Sequence, residues 1–305
     1  MSESTMSRPR PRTRAQANGS SPSVGRPAPR TKRWRDRQPW VVHAILICGV
    51  VAVIFPFAWE LLTAFKTFDG AHAVPAQIVP NPWDFGNFAE AISTLPFLSM
   101  LTNSVVLTLG RVLGQVVLCT MAGYAFARLR FRWRTPIFLA FLSVLMVPSQ
   151  LFLLPQFEII QRLGWMNTLA ALIVPGMFSA FGCFLMRQFF MTIPTELEEA
   201  ARVDGANAWQ IFYKVMLPLA KPGIVALAVF TALWSWNDLL WPLVVTTDPA
   251  KEPLTVGIAQ LIGIHMTNYP VLMAAAVLAS LPMLVTFAIL QRQFIQGIAL
   301  SGTKG

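Results

Sequence analysis

Six long apolar runs, separated by short stretches rich in Pro, Gly, Asn and Arg, set the pattern of the chain. They are Val41–Phe65, Met100–Ala127, Pro136–Leu154, Leu169–Met186, Gly223–Val245 and Pro270–Leu290, each with few or no charges. A helix needs roughly 20 apolar residues to cross bilayer hydrocarbon, so the pattern predicts an all-α membrane protein with about six transmembrane helices. Pro56, Pro148, Pro175 and Pro242 fall within or near these runs, where neighbouring helices can satisfy the carbonyls a proline frees. Three connections, Lys66–Ser99, Pro155–Thr168 and Thr246–Tyr269, are loop-like and too short for a large separate domain. No repeat of solenoid period is present.

Composition supports this reading: 55% of the 305 residues are hydrophobic and 12% charged, too apolar for an ordinary soluble domain. The formal net charge of +10 raises nucleic-acid binding, but its distribution argues against it. Ten of the basic residues lie between Arg8 and Arg37, among Pro, Ser, Gly and Ala, which predicts a disordered cytoplasmic arm over residues 1–39 ahead of a permease domain over 40–305. The first run exceeds an h-region of about 7–15 residues, so it is expected to stay as a span rather than leave as a signal peptide. With the N-terminus inside, twenty of the twenty-four Lys and Arg residues fall on the cytoplasmic side, including Arg128, Arg130, Arg132 and Arg134. Both termini are therefore expected in the cytoplasm. Cys48, Cys119 and Cys183 form no CxxC pair and read as small apolar residues.

The connection between the fourth and fifth runs, Arg187 to Pro222, carries the most chemistry. Thr195 followed by Glu198 predicts a capping box, and Glu196, Glu198 and Glu199 crowd a first turn where the helix dipole favours anions. Asp204-Gly205 should stop that helix, because Gly accepts a left-handed conformation. A second helix is expected over Asn207–Met216, ending before Pro218, with Trp209, Phe212, Tyr213 and Met216 at i, i+3, i+4 and i+7 on one face. Such a face on a short cytoplasmic helix either meets a partner or packs on the protein's own bundle or in the membrane interface.

These residues resemble the inner-membrane permeases of binding-protein-dependent ATP-binding-cassette importers. That family's cytoplasmic Glu-Ala-Ala loop with a following Gly stands here as Glu199-Ala200-Ala201, Asp204-Gly205-Ala206 and Leu217-Pro218. Further matches resemble the carbohydrate branch and its maltose-transporter-like permeases: Asn103-Ser104, Ala122 to Arg128, Trp236-Asn237-Asp238, Trp241-Pro242-Leu243 and Gln291-Arg292-Gln293-Phe294. The resemblance runs from about Trp40 to the C-terminus, and Arg111 departs from a family pattern that is small or apolar there. It implies a type I importer permease fold and a coupling element over residues 187–222. It also implies a second permease, a dimer of ATP-binding subunits that hydrolyse ATP, an extracytoplasmic solute-binding protein and a sugar or oligosaccharide substrate, or in the same architecture another polar solute such as a polyol or glycerol phosphate, with no cofactor on this chain. For Glu199, Ala200, Ala201, Asp204, Gly205, Trp209, Phe212, Tyr213 and Met216 it implies ATPase coupling.

Arg111 and Asp238 are charges within spans, costly at about 2.5–3.5 kcal/mol on the insertion scale, and should face a bundle interior or cavity. Asp238 and Asn237 either line a polar cavity for sugar hydroxyls or make a contact between helices. Trp234, Trp236 and Trp241 read as interfacial anchors in preference to sugar-stacking rings. No P-loop is present, and His43, His72 and His265 lack metal-site or nucleophile spacing, so the chain does not read as an enzyme. An autonomous secondary transporter would need coupling-ion carboxylates in broken spans, and membrane carboxylates are few.

Overall fold

A computed structural model describes residues 39–263 and 266–302. The predicted basic arm, His265 and the side chain of Arg292 lie outside the described residues. The chain divides at Val53 and Ile54: the described part of the first unit is the beginning of α1 (Pro39–Ala64), and the second unit carries everything that follows.

In order come α2 (Phe68–His72), α3 (Gly86–Thr94), α4 (Phe97–Arg128), α5 (Arg134–Ser143), α6 (Leu153–Arg162), α7 (Leu169–Ile173), α8 (Ala180–Thr192), α9 (Glu196–Val203), α10 (Ala208–Gln210), α11 (Leu217–Leu219), α12 (Lys221–Trp236), α13 (Leu240–Val245), α14 (Leu254–Gln260) and α15 (Tyr269–Gly302). No strand occurs among the described residues. Among the described residues, Trp40–Ala64, Phe97–Arg128 and Tyr269–Ile289 are single helices long and apolar enough to cross a membrane, and counting each of three bent pairs as one span brings the number up to six.

Two of the predicted runs are not single helices. The third run is broken between Arg134–Met146 and Ser149–Arg162, which meet at 101°. Val147 is extended and Pro148 follows it, because a residue before proline is pushed out of the helical region. The fifth run stops at Trp236 and resumes at Leu240, leaving Asn237 to Leu239 outside regular helix.

α4 is the central strut, and small residues let its neighbours come close. A methyl group at Gly114 would lie 2.6 Å from Met177 Cβ, and one at Gly123 would lie 2.6 Å from Met186 Cβ and 2.8 Å from the Arg187 backbone nitrogen. At the opposite end, the Asn103-Ser104 motif joins α4 to the connection after α13. Asn103 Nδ2 donates to the carbonyls of Ala250 (2.8 Å) and Glu252 (3.1 Å), and Ser104 Oγ accepts from the Leu254 N–H at 2.8 Å. Asn167, at φ 59°, accepts from the N–H groups of Thr247 (2.6 Å) and Asp248 (3.0 Å). Asparagine tolerates that left-handed backbone, so one side chain joins the two connections.

Candidate functional site

α9 begins where the glutamates predict it, but not by the predicted cap. Thr195 already has helical backbone angles (φ −70°, ψ −26°) and its side chain caps nothing. Glu198, expected to close the box, is drawn inward by Arg128 at the end of α4. Arg128 Nε lies 3.2 Å from Glu198 Oε1, with both side chains buried to 7% and 6% exposure. The approach is a charge contact whose alignment falls short of a hydrogen bond. Arg128 Nη2 also donates to the carbonyls of Phe190, at 2.6 Å, and Ile193. One guanidinium thus ties together the ends of α4, α8 and α9. Arg202 reaches Glu198 Oε2 from the solvent side at 3.6 Å.

Gly205 ends α9 at φ 84°, as expected. The capping box forms after it: Asn207 Oδ1 accepts from the Gln210 N–H and Gln210 Oε1 from the Asn207 N–H, both at 2.9 Å. The second helix does not stop before Pro218. α10 passes into a π turn over Ile211–Met216, in which the Leu217 N–H bonds the Phe212 carbonyl five residues back. Pro218 enters in the first turn of α11, where a missing N–H is tolerated, and α12 follows within a 72° bend.

The predicted apolar face divides along its length into two rows. Trp209 (67% exposed) and Tyr213 (68%) point outward, whereas Phe212 (7%) and Met216 (0%) are buried. Phe212 packs on Tyr124 with ring centroids 4.9 Å apart, in a core that includes Phe190, Ile211 and Leu227. The buried row packs on the protein's own bundle, as one sequence alternative expects, and the other row is left exposed in the single chain. Glu199, Ala200, Asp204 and Gly205 are exposed, and Ala201 packs against that core.

The two membrane charges meet. Arg111 Nη1 lies 2.8 Å from Asp238 Oδ2, and Arg111 Nε donates to the Leu172 carbonyl at 2.9 Å. Gly176 leaves room for the guanidinium, since a methyl there would sit 2.5 Å from Arg111 Nε. One turn on, Gln115 Nε2 donates to the Gly176 carbonyl and Gln115 Oε1 accepts from Ser179 and Thr231, each at 3.0 Å. Asn237 is exposed, its amide donating to the Leu233 carbonyl at 2.8 Å. Two tryptophans expected as interfacial anchors are helix ties instead: Trp236 Nε1 donates to the Ala279 carbonyl (3.1 Å) and Trp241 Nε1 to that of Ala171 (2.9 Å). Removing either member of Arg111–Asp238 leaves a largely buried charge unpaired, at a cost of about 3 kcal/mol. We therefore expect Arg111→Ala and Asp238→Ala each to lower the melting temperature of the purified complex. The double variant should fall short of the summed losses, as a directly coupled pair requires.

Sequence reasoning missed Arg128–Glu198, treating Arg128 only as a loop charge and Glu198 only as a cap. It also missed Gly110-x-x-x-Gly114, a close-packing spacing that was legible in the sequence.

Residues 85–300 match the family described as the binding-protein-dependent transport system inner membrane component. The sn-glycerol-3-phosphate transport system permease protein UgpE of Pectobacterium atrosepticum is 35% identical over 264 residues, covering 84% of this chain and 94% of that protein. The protein of the same name from Escherichia coli O157:H7 is 32% identical over 274 residues, covering 86% and 98%. A crystal structure of a bacterial ABC transporter involved in import of the acidic polysaccharide alginate contains a chain that superposes with a TM-score of 0.75 at 22% identity, over 83% of this chain and 95% of that one. A chain of a bacterial alginate ABC transporter, crystallised with an alginate pentasaccharide-bound periplasmic protein, superposes with a TM-score of 0.60 at 15% identity. The two superpositions place the fold among the type I importer permeases.

Proposed function

The chain belongs to the family of binding-protein-dependent transport system inner membrane components, and from that premise we propose that it forms half of the translocation path of an ATP-driven sugar importer. A second permease forms the other half, a solute-binding protein delivers the cargo outside, and a dimer of ATP-binding subunits docks on the Glu-Ala-Ala loop inside. The observation that carries this reading is the mounting of that loop. Val203, Trp209 and Tyr213 make up an exposed apolar rim that flanks the Gly205 turn along the chain, while Arg128 and Glu198 fix the base of α9 to α4, so a push on the rim moves membrane helices. Docking by Glu199, Ala200, Ala201, Asp204 and Gly205 is part of the same proposal.

The path itself is assigned to the breaks at residues 147–148 and 237–239. Non-helical backbone at membrane depth must lie against protein or water rather than lipid, and Val147, Pro148 and Asn237 are exposed in the single chain. Arg111 then braces the second break through Asp238. The names of the UgpE relatives favour a second cargo reading, glycerol phosphate. ATP-dependent uptake by the reconstituted four-part system, absent with the chain alone, tests the assignment. The solute retained by the cognate binding protein decides the cargo.

Orientation has its own test. With the native cysteines removed, Val74→Cys should react with a membrane-impermeant maleimide on intact cells, whereas Val203→Cys should not. Both positions are almost fully exposed, so reaction at Val203→Cys reverses the proposed topology.

A further inference from the structure

Between the last turns of α4 and the α10 stretch lies a cleft of about 280 Å³ with almost wholly apolar walls, among them Met121, Tyr124, Ala125, Leu129, Ala208 and Trp209. The α4 wall runs from Met121 to Leu129, about 12 Å of helix at 1.5 Å per residue. It is the end of α4, a helix long and apolar enough to cross a membrane, next to a connection rich in arginine.

Leu129 leads into Arg130-Phe131-Arg132-Trp133-Arg134, the connection between α4 and α5. Basic and apolar side chains alternate along it, and Leu129, Phe131 and Trp133 are all exposed. Arg130, Arg132 and Arg134 line an open groove of about 650 Å³. Unlike Arg128, none of the three takes part in an ion pair among the described residues. Guanidinium groups interleaved with exposed aromatic rings suit the headgroup layer, where rings anchor and arginines meet phosphate. The apolar cleft beside them suits an acyl chain, so the charge of the groove and the character of the cleft match the two ends of one lipid.

We propose that cleft and groove together bind one anionic phospholipid, an acyl chain lying along α4 and its phosphate held by Arg130, Arg132 and Arg134. Because Ala208 and Trp209 form the other wall, the bound chain braces the coupling segment against α4. The anionic lipid content of the membrane then bears on how firmly the loop is held.

The test uses the assembled complex of both permeases and the ATPase, with phosphatidylglycerol as the probe and phosphatidylcholine as the neutral control. Native mass spectrometry should show one retained phosphatidylglycerol assigned to this chain. The triple change Arg130→Gln, Arg132→Gln and Arg134→Gln should weaken that retention at least roughly tenfold, on the scale of each arginine's attraction to anionic lipid. Ala208→Phe, at an exposed position, should fill the cleft and weaken retention with every arginine in place. Inorganic phosphate should not displace the lipid. Parental retention by either variant overturns the proposal, as does displacement by phosphate, which marks a simple anion site. Retention seen only after the ATPase is stripped away also overturns it, since the surface then belongs to that subunit.

Discussion

Truncating Arg128 to alanine is expected to reduce ATP-driven uptake roughly a hundredfold or more while the chain still inserts in the membrane. The cost of breaking a buried pair by removing one partner is about 3–5 kcal/mol, because the remaining charge is left without compensation. Here the remaining groups are three: the Glu198 carboxylate and the carbonyls of Phe190 and Ile193. Glu198→Gln should be milder, since Arg128 keeps both carbonyls and Arg202, the other cation beside Glu198, already faces solvent. Replacing Arg128 and Glu198 together with leucine removes both charges, and buried pairs exchanged for apolar residues are often neutral. The double variant should therefore recover assembly relative to Arg128→Ala, with only the two carbonyls left short of a donor. Uptake, co-purification of the ATPase and protease sensitivity of residues 187–222 are the measurements. Normal uptake by Arg128→Ala would remove the rigid link between α9 and α4 from the mechanism.

That link also explains why the site was only partly legible in the sequence. The spans were readable because length and the absence of charge are one-dimensional properties, and a buried charge announces its need for a partner. Arg111 and Asp238 could thus be placed in the same interior, although their direct contact depends on helix rotation and depth. The capping box at Thr195 failed because a local rule met a stronger distant charge. Nothing among Glu196, Glu198 and Glu199 distinguishes the one that turns toward Arg128 until α9 is placed beside the end of α4. Proline was read as a stop at Pro218, yet a π turn just before it let the helix continue. At Pro148 the same residue type did break the run, where two short 3-10 turns flank it.

The division of the predicted apolar face matters most for function. Periodicity finds a stripe but not which row of it faces inward. Phe212 and Met216 spend their apolar surface on the bundle, so a charge at Phe212 would unfold the site and report nothing specific about docking. Tyr213→Asp, on the exposed row, changes the contact surface alone.

The turn at Gly205 isolates backbone from packing more cleanly still. Its φ of 84° lies in the left-handed region, and a side chain there would meet nothing within 4 Å. Any effect of substitution therefore comes from conformational cost and from no collision. Asparagine visits that region readily, alanine at about 1–2 kcal/mol, and a β-branched residue least of all. The expected order of uptake is parental, Gly205→Asn, Gly205→Ala, then Gly205→Val, with Gly205→Val at least roughly tenfold below parental at about 1.4 kcal/mol per decade. The mechanism of loss is specific: α9 stays fixed by Glu198, but the turn that joins it to the helix carrying Trp209 and Tyr213 opens, and those exposed rings lose their set position relative to α9. ATPase co-purification should fall in the same order, or hydrolysis should continue without transport, while the melting temperature of the permease core, which lies outside the turn, stays near parental. If Gly205→Val keeps both the ATPase and uptake, the rim around Gly205 is not the coupling surface. If it loses the core as well, the turn is a folding element first and the separation of α9 from the docking rim is wrong.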